Sequence, residues 1–385
     1  MITMKLFKYP LPYFFAKLRV ILSHKLITLL LGPISGKMPK TAIRSLEEVV
    51  YRKQIKNHIV EIIKIHDPLI AKYNFPDNFP IYFRRDKTFE KRYIYILKDV
   101  CVSVSSGMVW LPEGYILEES VGSLRRIMGW GSTLHEPFLP AKTLCIQEPI
   151  VACPPTGYFH WLFEIMPNVL HALSTISNTK ILVPEKSPKY VLDALELLFG
   201  SNDYCKKVLI ARNVLRVSSL IMPQVEVYSG FVHPGDIKKL RAVLKAKIVP
   251  TESIAKESVY VSRSWIPKRR LTNEEELEEK LRGLGFDIVH CENMLFRDQI
   301  ALFSNARFIV GPHGAGLSNM VWADSPCEVL EIFRNNMFND CYARLAVSLG
   351  FNYDYLVCEP DKFGNARIPI DNVLKKVALV SKRNN

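Results

Sequence analysis

The sequence predicts an α/β fold whose second half forms a parallel, doubly wound sheet. Two observations support this: five short apolar runs between residues 258 and 358, and four segments of helical pattern that separate them. Apolar β segments alternating with helices of about 8–15 residues are typical of a parallel sheet covered on both faces. A chain of 385 residues also has room for two domains.

The second half gives the clearest element predictions. A capping box formed by Thr272 and Glu275 predicts a helix that runs to about Leu284. The acidic run from Glu274 to Glu279 is interpreted as the solvated face of that helix. The predicted strands are 258–264, 286–291, 307–311, 327–333 and 352–358.

Three different sequence patterns follow one another in the first half. Helical spacing of apolar residues after Thr41, a suitable N-cap, predicts a helix over 42–66. Short β-rich runs broken by Gly and Pro predict hairpins over 81–151. The rest again alternates, with helices predicted at 158–174, 189–199 and from 234, and strands at 180–183, 207–211 and 217–222.

The composition indicates a globular protein without a metal centre. It is 48% hydrophobic and 23% charged, which excludes a disordered chain. The eight cysteines include no Cys-x-x-Cys pair, so we expect reduced thiols and no zinc site. No uncharged stretch reaches the ~18–20 apolar residues of a spanning helix, and no cleavable signal is recognisable, so a cytoplasmic location is expected.

The net charge of +13 favours an anionic partner. Before Glu47 the chain contains no acidic residue, and its lysines and arginines alternate with aromatic residues and leucines. This composition of residues 1–46 favours an anchor at a membrane surface, and an ordinary helix packed on the body of the protein is the alternative. No nucleic-acid partner is expected, because no helix-turn-helix, zinc-finger or RNP motif accompanies the charge.

A glycine-rich turn follows the predicted strand 307–311. The segment RFIVGPHGAGLSN places glycines at 311, 314 and 316 before a predicted short helix that begins at about Leu317. Small residues let the backbone approach a ligand, and the first N–H groups of a helix attract phosphate. It is not the dinucleotide fingerprint, because Asn319 occupies the third glycine position. His313 within the turn adds to the case for an anion-binding site.

Basic and acidic side chains are predicted at the same sheet edge. Arg263 ends the strand YVSRS, and Lys268, Arg269 and Arg270 follow it. Guanidinium groups bind phosphate oxygens in bidentate fashion, so these residues and the glycine turn can hold a diphosphate; a solvated basic loop is the alternative. Glu328 and Glu331 are candidates for hydrogen bonds with ribose hydroxyls.

A third group of residues lies in the segment GYFHWLFEIMP (157–167). His160 and Glu164 are four residues apart, so both project from one face of the predicted helix. An aromatic setting can raise the pKa of a carboxyl toward that of a useful general base. The alternative is a hydrogen-bonded surface pair.

Together these segments resemble glycosyltransferase family 61 (DUF563). The resemblance rests on GYFHWLFEIMP at 157–167, YVSRS and KRRLTNEEEL within 260–277, FSNARFIVGPHGAGLSNMVWA at 303–323, and EVLEIF at 328–333. It implies a GT-B architecture, in which two Rossmann-like doubly wound domains face each other across a cleft. It also implies inverting, metal-independent transfer from a nucleotide-sugar, usually a UDP-sugar. The lack of any Asp-x-Asp element agrees with this.

The resemblance assigns roles to individual residues. Arg263, Arg269 and the turn Gly314, Ala315, Gly316 and Leu317 are expected to hold the donor diphosphate. His313 and Glu331 are expected near the nucleoside, and His160 or Glu164 is expected to be the catalytic base. The implied organisation is an N-terminal segment (1–46), an acceptor-side domain (47–250), a nucleotide-sugar-binding domain (251–360) and a C-terminal tail (361–385).

The resemblance therefore implies a bacterial-type hexosyl-, pentosyl- or N-acetylhexosaminyl-transferase of capsule or lipopolysaccharide synthesis. Its expected partners are a nucleotide-sugar and a saccharide or lipid-linked acceptor, with no cofactor and no metal. It is expected to act in the cytoplasm or at the inner face of the cytoplasmic membrane. One alternative is a non-catalytic nucleotide-binding or scaffold protein of a polysaccharide assembly complex. A dinucleotide-dependent oxidoreductase is disfavoured by Asn319.

Overall fold

A computed structural model describes most of the chain after residue 56. The described residues are 43–44, 57–75, 79, 86–113, 115–120, 136, 141–226, 230–248, 257–266, 271–324, 326–334, 339–360 and 366–384. The predicted N-terminal anchor, apart from residues 43–44, lies outside these ranges, as do Lys268, Arg269 and Arg270.

The described residues of the first half form a mixed sheet. Its strands are β1 (Ile43–Arg44), β2 (Ile59–His66), β5 (Arg92–Ser103), β6 (Val109–Trp110), β7 (Ile116–Leu117), β8 (Lys142–Leu144), β9 (Ile150–Ala152), β10 (Lys180–Pro184), β11 (Val208–Ala211) and β12 (Val214–Pro223). Strands β12, β9, β10 and β11 are parallel, whereas β5 runs antiparallel to β12. A separate hairpin contains β3 (Leu69–Lys72) and β4 (Asp86–Phe89). The strand order in the mixed sheet is β1-β7-β6-β5-β12-β9-β10-β11, with β2 paired to β5 and β8 paired to β12.

The predicted helix over 42–66 is wrong where the structure describes it. Residues 59–66 form β2, which pairs antiparallel with β5. The segment IVEIIKIH is rich in β-branched isoleucine, which favours a strand once an adjacent strand is available. By contrast, the hairpins predicted over 81–151 are confirmed for β5, β6 and β7, which pair antiparallel in succession. They are wrong for β8 and β9, which pair in parallel with β12.

The helices of the first half agree with the predicted alternation. One long helix runs through Tyr158–His160, Trp161–Ile165 and Met166–Thr175. The other α-helices described in this half are Lys189–Phe199, Ser201–Lys207 and Pro234–Lys245, and a 3-10 turn covers Glu118–Ser120. Pro234 lies in the first turn of its helix, where its missing N–H costs no hydrogen bond.

The second half is the parallel sheet that the sequence predicts. Its strands are β13 (Ser258–Val261), β14 (Asp287–Val289), β15 (Phe308–Pro312), β16 (Glu328–Phe333) and β17 (Asn352–Val357). They are all parallel, in the order β14-β13-β15-β16-β17. The direction of winding reverses between β13 and β15, and a ligand crevice forms at such a point, outside the carboxyl ends of the strands.

Helices and short turns connect and cover this sheet. The α-helices are Glu274–Gly283, Phe296–Ser304, Cys341–Ser348 and Ile370–Asn384, and the 3-10 helices are Cys291–Asn293 and Ala315–Trp322. A small antiparallel pair, β18 (Glu359–Pro360) with β19 (Ala366–Arg367), precedes the last helix. That helix buries Val373 and Val377 in the core beneath the sheet.

Two local predictions for helix Glu274–Gly283 are wrong. The Thr272 hydroxyl donates to Ala366 O instead of capping the helix, and the N-cap position is occupied by Asn273. The acidic run is not wholly solvated, since Glu274 and Glu278 are buried. Glu274 accepts hydrogen bonds from Tyr260 of β13 and from the Arg263 N–H, and Glu278 accepts one from Ser262, which compensates for their burial.

One hydrophobic core spans both halves of the chain. Trp161 of the first half packs edge-on against Phe296 of the second, with ring centroids 6.1 Å apart, and Phe296 packs in the same way against Trp322 at 5.9 Å. All three side chains are fully buried. The continuity of this core fixes the first-half helix Tyr158–Thr175 against the glycine-rich turn after β15.

The prediction of reduced, mostly buried cysteines is confirmed. All eight thiols are free, and six of them are buried. Burial raises the pKa of several, for example that of Cys291 to about 12, so these thiols are neutral and inert. Within the described part of the chain, no helix has the length and apolar character needed to cross a bilayer.

A buried polar cluster joins four elements of the first half around Asp236. Arg92 donates to both oxygens of this carboxylate, with Nη1 2.8 Å from Oδ2, and the Nε2 atoms of His66 and His171 lie 2.7 and 2.8 Å from Oδ1. Burial alone would raise the pKa of Asp236, but Arg92 and the histidines outweigh it and hold the pKa well below the usual value. His233 stacks on His66 at 3.9 Å.

The histidines of this cluster make the fold sensitive to acid. Burial lowers the pKa of His171, and burial together with His66 lowers the pKa of His233 to about 4. In the unfolded chain both residues take up a proton near the ordinary value of 6.5. The unfolded state therefore binds more protons as the pH falls from 6.5 to about 4, and stability is lost over that window.

Substitution Asp236→Asn is expected to lower the free energy of unfolding by about 3–5 kcal/mol, because Arg92 would keep a buried positive charge without its counter-charge. Urea denaturation at neutral pH measures the change. Asp203→Asn is the control, since Asp203 is exposed and pairs only with Lys206 on the surface, among the contacts described. Equal stability of the two variants would mean that the cluster contributes no more than a surface pair.

Candidate functional site

A cavity of about 360 Å³ lies where the winding of the second sheet reverses. Its walls come from the carboxyl ends of β13, β14 and β15 and from the first half of the chain. The lining residues are Tyr158, Pro188, Lys189, Tyr190, Val261, Ser262, Arg263, Ile266, Cys291, Glu292, Met294, Gln299, Pro312, Gly314, Ala315 and Gly316. The cavity therefore joins two of the predicted motifs, YVSRS and the glycine-rich turn.

The Arg263 side chain lies directly against Gly314. A methyl group placed on the Gly314 Cα would overlap Nη1 of Arg263 and would lie 3.0 Å from its Cδ. Only a glycine leaves room for the guanidinium at this point. The arginine after β13 and the turn after β15 thus converge on one volume, as the crossover topology requires.

Buried carboxylates fix the loop that carries Arg263. The Glu274 Oε1 atom accepts a hydrogen bond from the Arg263 N–H at 2.7 Å and another from the Tyr260 hydroxyl at 3.0 Å. Burial raises the pKa of Glu274, and these two donors partly offset the rise. The neighbouring Ser262 hydroxyl donates to Glu278 at 2.5 Å. These contacts hold the start of the loop before a ligand arrives.

The turn after β15 is packed closely at its other glycines. A methyl group on Gly316 would come within 2.6 Å of Val261 Cγ1, and one on Gly311 within 2.9 Å of Val261 O. The 3-10 helix begins at Ala315, two residues before the predicted start. Leu317 is fully buried in the core, and its N–H donates to Gly314 O at 3.0 Å. These contacts disfavour the predicted role of Leu317 as a diphosphate ligand.

His313 and Glu331 form a dyad beside the cavity. The His313 Nδ1 atom bonds to Glu331 Oε1, and the Tyr353 hydroxyl donates to Glu331 Oε2 at 2.6 Å. Glu331 is fully buried, and the His313 ring stacks on Phe333 at 5.4 Å. Because both Glu331 oxygens are engaged below the surface, this burial disfavours the predicted contact of Glu331 with a nucleoside. In this position Glu331 orients the His313 ring through its bond to Nδ1.

His160 and Glu164 are in contact, as their spacing predicts. The His160 Nδ1 atom lies 2.9 Å from Glu164 Oε1, which also accepts the N–H of Gly230 at 3.1 Å. The Glu164 side chain is buried, whereas that of His160 is 46% exposed. The helix widens into a π-helical turn at Trp161–Ile165, just before Pro167, whose ring disfavours a regular hydrogen bond to the preceding turn.

Hydrogen bonds link this dyad to the second half of the chain. The Tyr158 hydroxyl donates to Asn319 Oδ1 at 2.7 Å, so the helix carrying His160 is attached to the glycine-rich turn. The buried Arg344 donates to Gly230 O at 2.7 Å, and the Gly230 N–H bonds to Glu164. Gly230 has φ +88°, a backbone conformation that favours glycine.

Sequence reasoning missed part of the site. Glu292, Lys189 and Tyr190 line the cavity although none was singled out. The position of Glu292, just after an apolar run, was the available signal, whereas no local pattern marks the two residues from the first half. Glu328 lies at the amino end of β16 and accepts from Asn352 at 2.7 Å, so the structure corrects its expected place beside the glycine turn.

Comparison with known proteins gives one family match. No curated protein matches the chain. The family model described as Glycosyltransferase 61 matches residues 158–330, a little under half of the chain. The matched segment contains the His160–Glu164 dyad, Arg263 and the glycine-rich turn, so this part of the chain is similar to that glycosyltransferase family.

Proposed function

We propose that this protein is an inverting glycosyltransferase that moves a sugar from a UDP-linked donor to a hydroxyl group of a saccharide or lipid-linked saccharide. The observation that carries the proposal is the packing of Arg263 against Gly314 at the reversal point of the second sheet. The family match over 158–330 supports the reaction class. We also infer the GT-B arrangement from that match and from the cavity between the two halves of the chain.

The donor diphosphate binds between Arg263 and the turn Gly314, Ala315 and Gly316. The guanidinium supplies a permanent positive charge with a bidentate geometry. The N–H groups at the start of the 3-10 helix add donors and the positive end of a dipole. Arg269 is a further candidate for the same diphosphate, although it lies outside the described residues.

The acceptor hydroxyl is deprotonated by His160, with Glu164 as its positioning carboxylate. If the Nδ1–H of His160 donates to Glu164, the tautomer leaves Nε2 as the basic atom. Glu164 is itself held by Gly230. His160 is the more exposed member of the dyad, so it is the member that an acceptor reaches.

The reaction is a single displacement. His160 takes the proton of the acceptor hydroxyl, and the acceptor oxygen forms a bond to the anomeric carbon of the donor. The bond from that carbon to the diphosphate oxygen breaks, and its electron pair leaves with the nucleoside diphosphate. Attack opposite the leaving group inverts the anomeric centre, and Arg263 with the turn stabilises the developing charge.

We propose that no metal assists this step, because the sequence has no Asp-x-Asp element and supplies arginine charge at the diphosphate instead. We also propose a role in surface polysaccharide synthesis in the cytoplasm or at the inner membrane face. The basic composition of residues 1–46 supports it through attraction to anionic lipids.

The test is donor turnover by the purified chain in EDTA. Incubation with a panel of UDP-sugars is expected to release UDP slowly by hydrolysis and faster with saccharide acceptors, and chromatography measures the release. Arg263→Ala serves as the control protein. Binding of UDP without any turnover on the panel would favour a non-catalytic nucleotide-binding protein, and turnover only after metal addition would contradict the metal-independent step.

A further inference from the structure

A stacked aromatic pair with one exposed ring lies on loops that contribute to the cavity wall. The rings of Trp265 and His290 are stacked, with centroids 3.6 Å apart and planes within 4°. The Trp265 side chain is 64% exposed although His290 covers one of its faces, so the other face is open to solvent. An indole carries a large apolar area, which makes this exposure unfavourable unless another flat group covers it.

The pair belongs to the two loops that form the cavity wall. Trp265 lies between Arg263 and Ile266, which both line the cavity, and His290 directly precedes two more lining residues, Cys291 and Glu292. The stack therefore bridges the loops that follow β13 and β14. A flat ring bound on Trp265 would lie at the side of the cavity away from β16 and Glu331.

Glu292 offers the second contact. It is exposed and lines the cavity just beyond the carboxyl end of β14, the strand next to β13. In doubly wound folds, an acidic residue in the corresponding region accepts hydrogen bonds from ribose hydroxyls. Glu331, the acid favoured by the sequence, is engaged with His313 and Tyr353 below the surface. Glu292 is thus better placed for a ribose.

We propose that the nucleoside of the donor binds at the β13–β14 rim, with its base stacked on Trp265 and its ribose hydroxyls bonded to Glu292. This subsite rests on the proposed function, since it extends the diphosphate site at Arg263 and Gly314. His290 is a positioning residue that holds the indole. A stacking surface accepts any base, so Trp265 supplies affinity and Glu292 selects ribose over deoxyribose.

Calorimetry with five probes tests the subsite: UDP, GDP, their 2′-deoxy forms and inorganic pyrophosphate. Trp265→Leu is expected to weaken the binding of UDP and GDP about tenfold, the order of magnitude of one lost base–aromatic stack. The affinity for pyrophosphate is expected to stay unchanged. Trp265→Tyr, which keeps a ring, is expected to recover most of the affinity. Glu292→Gln is expected to weaken the binding of UDP and GDP severalfold. It is also expected to reduce the preference for ribose over deoxyribose that the wild-type chain shows.

Matched controls separate the subsite from general effects. Glu279→Gln removes the same charge from an exposed helix position, and Leu284→Ala removes an exposed apolar side chain, so both are expected to bind all probes like the wild type. Wild-type affinity of Trp265→Leu and Glu292→Gln for UDP and GDP would overturn the subsite while leaving the proposed function intact. Absence of any nucleotide binding by the wild-type chain would overturn both.

Discussion

Substitution Arg263→Ala is expected to reduce donor turnover by about 10²–10³-fold, the order of magnitude for loss of one preorganised group at a developing negative charge. The guanidinium packs against the Cα of Gly314, so it faces the turn that we assign to the same diphosphate. Steady-state kinetics with a UDP-sugar measures the loss as kcat/KM. Arg263→Lys is expected to recover only part of it, because an ammonium group lacks the bidentate geometry.

Two controls define this prediction. Arg307→Ala removes an exposed arginine that pairs with Glu257 just before β15, at the opposite edge of the sheet, and is expected to leave turnover unchanged. Gly314→Ala keeps the arginine but displaces it, and is expected to lower turnover, whereas Gly283→Ala adds a methyl group in open space. Turnover of Arg263→Ala close to that of Arg307→Ala would exclude the arginine from the mechanism.

Substitution His160→Ala is expected to reduce kcat by about 10²–10⁴-fold, the range for loss of a general base. The wild-type rate is expected to rise with pH as the base loses its proton, and His160→Ala is expected to lose this rise. Glu164→Gln is expected to cause a smaller loss in kcat and to shift the pH range over which the rate rises, because the glutamine amide still contacts His160 but carries no charge. Rate measurements between about pH 5 and 8, the interval over which an imidazole ordinarily changes its charge, check both outcomes.

A binding measurement separates catalysis from folding in these variants. Both are expected to bind UDP like the wild type, since neither residue lines the donor cavity among the described residues. A pH profile that is unchanged in both variants would show that the pair is structural. Loss of the rise in Glu164→Gln alone would instead make Glu164 the base.

The second sheet could be predicted because each of its strands is a continuous apolar run with a clear break after it. Its five parallel strands then have few possible orders, and the carboxyl ends of β13 and β15 must meet. The convergence of Arg263 and Gly314 follows from that topology. The hydrophobic periodicity predicts the wrong element over 59–66, because an isoleucine-rich segment fits either a helix or a strand. Pairing with β5 stabilises the strand.

Other parts of the site depend on contacts that sequence spacing does not encode. The acid Glu331 lies on a correctly predicted strand, yet its carboxylate is bonded to His313 and Tyr353 in the interior. Glu274 looks like a surface residue in an acidic run, yet it holds the backbone of Arg263. In both cases the partner is distant in sequence, so only the folded chain shows which carboxylates are structural.

The core that joins Trp161, Phe296 and Trp322 has a consequence for how this chain can be divided or recombined. A fragment ending between the two halves would leave one of these rings facing water, together with the surfaces that bury it. Under the proposed function, the donor-side and acceptor-side segments therefore cannot be exchanged independently of each other. Under the proposed function, a change of donor or acceptor preference has to arise at the residues that line the cavity, while the shared aromatic interior stays unchanged in both halves.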